Sequence, residues 1–269
     1  MKKPIGLIVP IYDLSWMTLN LFESIKACSN LNDFYFIVID NGSTQEESDK
    51  VHGWLCDNIK EDDGFYFSYV ESPIGFVKAV NQGMDVVLEK DLDYFFVSNN
   101  DVLVTGEWDS RLLETLKKDK VGIVGGMTSP PDWRELPSAK VIIEKKLKYD
   151  ALRNSMEGFA KPLRQHLDRL DKEVSFLAFY LAGFKTKLVK KIGKLDEIFN
   201  MGLFDDDDYC FRVLEAGFKI ILRKDVYIHH YHRSTWLAHK LEYHKLLEEN
   251  REIFIKKHGF DPWRKREIV

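Results

Sequence analysis

Short apolar runs alternate with segments of helical periodicity through the first hundred residues, and that alternation leaves few folds open to the chain. Residues 5–9, 35–39, 65–70 and 94–97 are apolar stretches of strand length, too short for surface helices. Between them, residues 14–28 and 76–89 carry apolar side chains at helical spacing, with Leu21, Ile25 and Cys28 in register. Strands alternating with helices predict β-α-β units and a mainly parallel sheet flanked by helices. Ligands of such sheets collect beyond the carboxyl ends of the strands. Residues 10–12, 40–43 and 99–101 all fall at those ends, so one pocket is expected there.

The second half is less regular. Residues 108–116 read as a helix and 121–125 as a strand. Residues 132–172 are charged and expected to be largely helical, interrupted at Pro137 and Pro162, forming an insertion beside the pocket rather than a separate domain. Residues 174–184 are apolar and aromatic, and 195–203 approach an aspartate run as a loop. A helix over 209–216 stops at Gly217, the usual C-cap residue. Residues 219–222 and 226–228 read as two short strands, and 237–258 as one long charged helix.

With 269 residues, 45% hydrophobic and 30% charged, the chain has material for a sizeable core and a polar surface. The expected organisation is one domain over 1–236, with halves 1–126 and 174–236, and a C-terminal helix and tail over 237–269. A net charge of −4 argues against a general polyanion binder. The basic residues Lys256, Lys257, Arg264, Lys265 and Arg266 read as a solvated end, with peripheral contact to an acidic membrane or contact to a polyanionic acceptor as the alternatives. No stretch approaches the roughly 20 apolar residues that cross a bilayer, and no leader pattern opens the chain; a cytoplasmic protein is expected. Cys28, Cys56 and Cys210 are odd in number and lack metal spacing, so they read as free buried thiols.

Three polar stretches carry the chemistry. Ser98-Asn99-Asn100-Asp101 follows the fourth apolar run, Asp205-Asp206-Asp207-Asp208 opens a helix, and His229-His230-Tyr231-His232 ends a strand. A helix dipole favours acidic residues at its N-terminus, which accounts for one or two of the aspartates. Four together repel one another, so the run calls for a further explanation. Asp101 offers a carboxylate to Mg2+ or Mn2+, which take oxygen ligands and often few carboxylates. Adjacent residues of a strand face opposite ways, so one of His229 and His230 faces the pocket, where a neutral imidazole completes a cation site. A hard-cation site with a spare carboxylate suits group transfer from a diphosphate-activated donor.

Seven segments in chain order resemble the successive motifs of glycosyltransferase family 2. They are Val9-Pro10-Ile11-Tyr12, Val38-Ile39-Asp40-Asn41-Gly42-Ser43, residues 75–83, Asn99-Asn100-Asp101, residues 121–126, the segment from Asp205 to Arg212, and His229-His230 before Ser234-Thr235. The resemblance runs from about residue 5 to 236. It implies an α/β fold of GT-A type, a Rossmann-like mixed sheet, with inverting, metal-dependent transfer from a nucleotide-diphosphate sugar, UDP by preference, to an acceptor hydroxyl. Pro10, Tyr12, Asp40, Asn41, Lys78, Asn99, Asn100 and Asp101 are then donor contacts, and Asp101 and His230 hold Mn2+ or Mg2+. The family's D-x-D motif has become Asn99-Asn100-Asp101, so one carboxylate is missing and weak metal binding is expected without nucleotide.

Counting back from Arg212, Asp206 matches the family's catalytic base and Asp205 an acceptor-binding acid. Asp207 is the alternative base if the register shifts by one. Clustered charge is expected to raise the pKa of Asp206, which helps a general base. The resemblance further implies that Asp208 and Arg212 support the cluster, that Arg233 meets phosphate, and that Gly183 and Tyr180 line the acceptor sugar. His229 and His232 are further candidates beside the metal. A glycan, a lipid-linked glycan, a protein and a modified nucleic acid all remain open as acceptors. Two other classes share such a pocket. A metal-dependent nucleotidyltransferase or phosphohydrolase would want more carboxylates at 99–101, and the retained Asp206 counts against a non-catalytic sugar-nucleotide or glycan-binding module.

Overall fold

The computed structural model describes residues 3–59, 64–128, 146–232, 234–239 and 242–264, with backbone only at 236, 237 and 264. The first half runs β1 (Ile5–Ile11), α1 (Ser15–Cys28), β2 (Phe34–Asp40), α2 (Gln45–Asn58), β3 (Phe65–Tyr69), α3 (Phe76–Glu89) and β4 (Tyr94–Ser98). These four strands pair in parallel in the order β3-β2-β1-β4. β1 and β2 are buried along their whole length, because helices cover both faces, and this is why they read as unbroken apolar runs. Side-chain alternation then sorts the core. Leu7, Val9, Phe36, Val38 and Phe96 pack with α1 and α2, whereas Ile8, Ile37, Ile39, Phe95 and Val97 pack with α3.

The second half adds β5 (Val102–Val104), α4 (Trp108–Leu116), β6 (Val121–Met127), α5 (Tyr149–His166), β7 (Asp171–Val174), β8 (Leu181–Lys185), α6 (Thr186–Ile192), α7 (Asp205–Glu215), β9 (Lys219–His230), α8 (Ser234–Ala238) and α9 (Tyr243–His258). β8 enters between β4 and β6, antiparallel to both, and β9 runs parallel to β6. β7 and β5 pair antiparallel with the start and the end of β9. The sheet therefore reads β3-β2-β1-β4-β8-β6-β9-β5, with β7 beside β9. Its parallel character belongs to the first half and its mixed character to the second.

Several expectations are corrected. The two strands read at 219–222 and 226–228 are one, because Arg223 and Asp225 between them are buried and paired: Arg223 Nε donates to Asp225 Oδ1 at 2.6 Å. The helix expected over 237–258 is two, broken between Ala238 and Tyr243. Pro162 lies inside α5 instead of interrupting it, and the last part of the insertion forms β7. The short β5 had no signal of its own. Pro137, Arg233, Lys265 and Arg266 lie outside the described residues. Lys257 is no solvated end, since its ammonium meets Asp196 at 2.7 Å and also Asp208. Cys210 is buried as expected, but Cys56 is exposed on the outer face of α2. Among the described residues no helix is long and apolar enough to cross a membrane.

Candidate active site

The turn from β4 into β5 places Asn99, Asn100 and Asp101 at the carboxyl end of the parallel strands. β5 pairs with β9 so that Val102 lies opposite His230, which brings Asp101 Oδ1 to 3.2 Å from His230 Nε2. Asn99 Nδ2 lies 3.5 Å from the same ring nitrogen. Burial pushes the Asp101 carboxyl up, but the adjacent His230 ring and the nearby Ser234 outweigh it and hold the group below the usual carboxylate range. Tyr180 stacks on His230, with centroids 5.1 Å apart, and donates its hydroxyl hydrogen bond to the Gly126 carbonyl at 2.6 Å.

This pair fits a divalent cation. Neighbouring ligands about 2.1 Å from an octahedral ion stand about 3 Å apart, close to the separation of Asp101 and His230. No cluster of three or more His, Cys, Asp or Glu gathers for a metal among the described residues, so a cation held by this pair would need further oxygen ligands from phosphate or water. Alternation along β9 turns His229 to the other face. There it meets Tyr231 edge-on, and burial, with the charges of His230 and His232, pushes its pKa down to about 4. His232 stays on the side of His230, with the two ring centroids 4.3 Å apart.

The donor candidates divide into two groups. Asp40 ends β2 fully buried; Oδ1 accepts the Ser43 N–H at 2.9 Å, while Oδ2 has no partner among the described residues. An unmatched buried acceptor is costly, so this oxygen is ready for a ligand's donor. Tyr12 lies at the same edge and stacks on His239, with centroids 4.4 Å apart. Pro10 is buried in β1 opposite Ile39. Asn41 acts as a strut: its side-chain carbonyl accepts the Ile74 N–H at 2.7 Å and its own N–H donates to the Ile11 carbonyl at 2.8 Å. Asn100 turns to α1, donating to Thr18 Oγ1 at 3.3 Å. Lys78 is exposed on the first turn of α3.

The aspartate run opens α7 after a turn in which Gly202, Leu203 and Phe204 all have positive φ. Asp205, Asp207 and Asp208 are buried, and Asp206 alone of the four is partly exposed. Asp206 Oδ1 accepts the Asp207 N–H at 3.0 Å. Asp208 is neutralised from several sides: Arg212 Nε at 2.8 Å, His258 Nε2 at 2.8 Å, and the Lys257 ammonium. Arg212 also donates to the carbonyls of Ile192 and Lys194, each at 3.0 Å. The upward shift expected of clustered charge is found at Asp205, where burial first, and then Asp207 and Asp208, push the pKa up to about 7.

Two acceptor candidates are placed differently from expectation. Gly183 lies inside β8, where a Cβ would meet the Phe96 ring at 2.7 Å; it makes room for core packing instead of a sugar. The face of Tyr180 is occupied by His230. Sequence reasoning missed Asn250, Lys257 and His258 of α9, which reach the aspartate segment. Their only signal is a polar face at helical spacing, which reads as solvated.

Two solved structures share this architecture. Mannosyltransferase PcManGT from Pyrobaculum calidifontis, in complex with GDP-Man and Mn2+, superposes with a TM-score of 0.60 at 16% identity, over 85% of this chain and 57% of that one. GalNAc-T7 with UDP, GalNAc and Mn2+ superposes with a TM-score of 0.62 at 12% identity, over 84% of this chain and 43% of that one. The chain thus spans about half the length of these proteins, and the likeness is one of fold, GT-A. No curated protein matches the sequence. The family model for glycosyl transferase family 2 matches residues 7–193, from β1 through α6, including Asp40 and Asn99–Asp101. With that match over most of its length and the GT-A sheet beneath it, the chain belongs to glycosyl transferase family 2.

Proposed function

We propose that the protein transfers a sugar from a nucleotide diphosphate donor, a UDP-sugar, to an acceptor hydroxyl with inversion at the anomeric carbon and dependence on a divalent cation. The observation that carries this reading is the Asp101–His230 pair, 3.2 Å apart at the strand ends, on the same sheet edge as the unmatched carboxylate oxygen of Asp40. The two similar structures hold GDP-Man with Mn2+ in one case and UDP with Mn2+ in the other. They support nucleotide and metal, while the preference for UDP rests on the motif resemblance.

Asp101 and His230 would hold Mn2+ or Mg2+, which when bound offsets the charge developing on the diphosphate leaving group. Asp40 Oδ2 accepts a hydrogen bond from the base or ribose, Pro10 and Tyr12 line the base, and Asn99 reaches ribose or phosphate. Asp206, the partly exposed member of its run, takes the acceptor's hydroxyl proton as that oxygen attacks the anomeric carbon. The bond from that carbon to the diphosphate breaks, and its electron pair leaves with the nucleotide. Attack from the opposite face inverts the centre.

Thermal denaturation with UDP, GDP and dTDP, each with and without Mn2+, tests the donor half. Ligand at 100 times its Kd adds about 2.7 kcal/mol, roughly 5–10 °C for a chain of this size. The expected outcome is a metal-dependent shift with UDP that vanishes in Asp101→Ala. No shift with any nucleotide in folded protein would defeat the reading, and release of phosphate or pyrophosphate in place of nucleoside diphosphate would move it to another reaction class.

A further inference from the structure

We propose that Asn250, on α9, is a positioning residue for the base: its buried carboxamide holds the left-handed turn that sets where Asp206 stands. The inference rests on the assignment of Asp206 made above. The backbone just before α7 is unusual, with φ of 93° at Gly202, 70° at Leu203 and 67° at Phe204. Non-glycine residues avoid this region because Cβ crowds the backbone. Such a conformation persists only where the surroundings over-determine it.

Asn250 supplies that determination. It is 2% exposed, and its Nδ2 donates to the carbonyls of Gly202 at 2.8 Å and Leu203 at 2.9 Å, with that of Phe199 at 3.5 Å. One amide group has two N–H donors, so two short bonds and one long contact use it fully. One turn along α9, the Phe254 ring packs against Phe204, with centroids 6.0 Å apart. A further turn along, Lys257 and His258 bind the Asp208 carboxylate. Positions 250, 254, 257 and 258 form one helix face. α9 thus grips the chain on both sides of Asp206, through backbone before it and a side chain after it. α9 also lies beyond the residues matched by the family model.

A residue that only fills space is replaced well by an apolar group of similar shape, whereas a positioning donor is not. Asn250→Leu keeps the volume and removes the donors. Amide hydrogen exchange of this variant should be at least tenfold faster over residues 200–208, where Gly202 and Asp208 N–H groups are internally bonded, with β1 and β2 unchanged. Hydrolysis of UDP-glucose or GDP-mannose, read as nucleoside diphosphate release, should fall 10- to 100-fold in kcat, with the donor KM within twofold. In an Asp206→Asn background, Asn250→Leu should lower kcat by less than twofold more, because residues acting through one another are not additive.

Unchanged exchange over 200–208 in folded Asn250→Leu would overturn the inference, as would losses that add fully. If neither sugar nucleotide is turned over, exchange alone decides. Wild-type turnover in Asp206→Asn would instead sink the base assignment and leave the exchange result standing as a statement about the turn. Should Asn250→Leu fail to fold, Asn250→Ser carries the same comparison with a smaller perturbation.

Discussion

Burial pushes both Asp101 and Asp205 up, yet only Asp101 ends below the usual carboxylate range, because only it has the His230 ring and Ser234 beside it. At Asp101 the His230 ring and Ser234 outweigh desolvation and hold the group ionised. At Asp205 burial prevails, reinforced by Asp207 and Asp208, and the pKa reaches about 7 from an ordinary 3.8. A folded-state pKa above the unfolded value means that the folded chain keeps a proton the unfolded chain gives up. Its contribution is full below the unfolded pKa and lost as pH rises through the folded one. Between pH 4 and pH 7 the melting temperature of the wild type should therefore fall relative to that of Asp205→Asn; parallel curves through that window would refute the assignment. The residue types of this site were legible in the sequence. Their protonation was not, since it depends on which side chain stands opposite.

At the scale of elements, β9 shows how a polar break misleads a reading by pattern. Arg223 is fully buried within the strand, bonded to Asp225 at 2.6 Å and to Thr115 Oγ1 on α4 at 2.7 Å. Asp225 also receives Arg111. Breaking a buried ion pair leaves its partner charged and unmatched, at a cost of about 3–5 kcal/mol. Asp225→Ala should lower stability in urea by that amount, against about 0.5 kcal/mol or less for Lys219→Ala, whose pair with Glu173 is exposed. An effect of Asp225→Ala no larger than that of Lys219→Ala would show the pair to be idle. α9 misleads in the other direction. Its charges suggest a solvated helix, yet Asn250, Lys257 and His258 point inward to polar partners that lie far away in sequence.

Across the whole molecule, one sheet joins the two halves that the motifs divide. β8, from residues 174–236, sits between β4 and β6, whose paired residues all belong to 1–126, with Phe184 opposite both Phe95 and Ile123. Among the described residues the two halves share core, since Ile8, Ile37 and Phe95 cluster with Ala182, Phe184 and Ile220. Unfolding should accordingly follow one transition, with tryptophan fluorescence and far-ultraviolet circular dichroism coinciding along a urea titration. Two separated transitions would mean that the halves fold independently despite the shared sheet.

The sequence by itself determined what is local. Short apolar runs marked the four parallel strands, helical spacing marked α1 and α3, and the strand ends set Asp40 and Asp101 at one edge of the sheet. Motif order was enough to point to the family. Tertiary structure alone decided which distant segments meet. The antiparallel entry of β8, the register that sets His230 against Asp101, and the grip of α9 on the aspartate turn all join residues far apart in the chain. Such pairings are chosen by burial and hydrogen-bond satisfaction over the whole fold. They leave no periodicity in any single stretch of sequence.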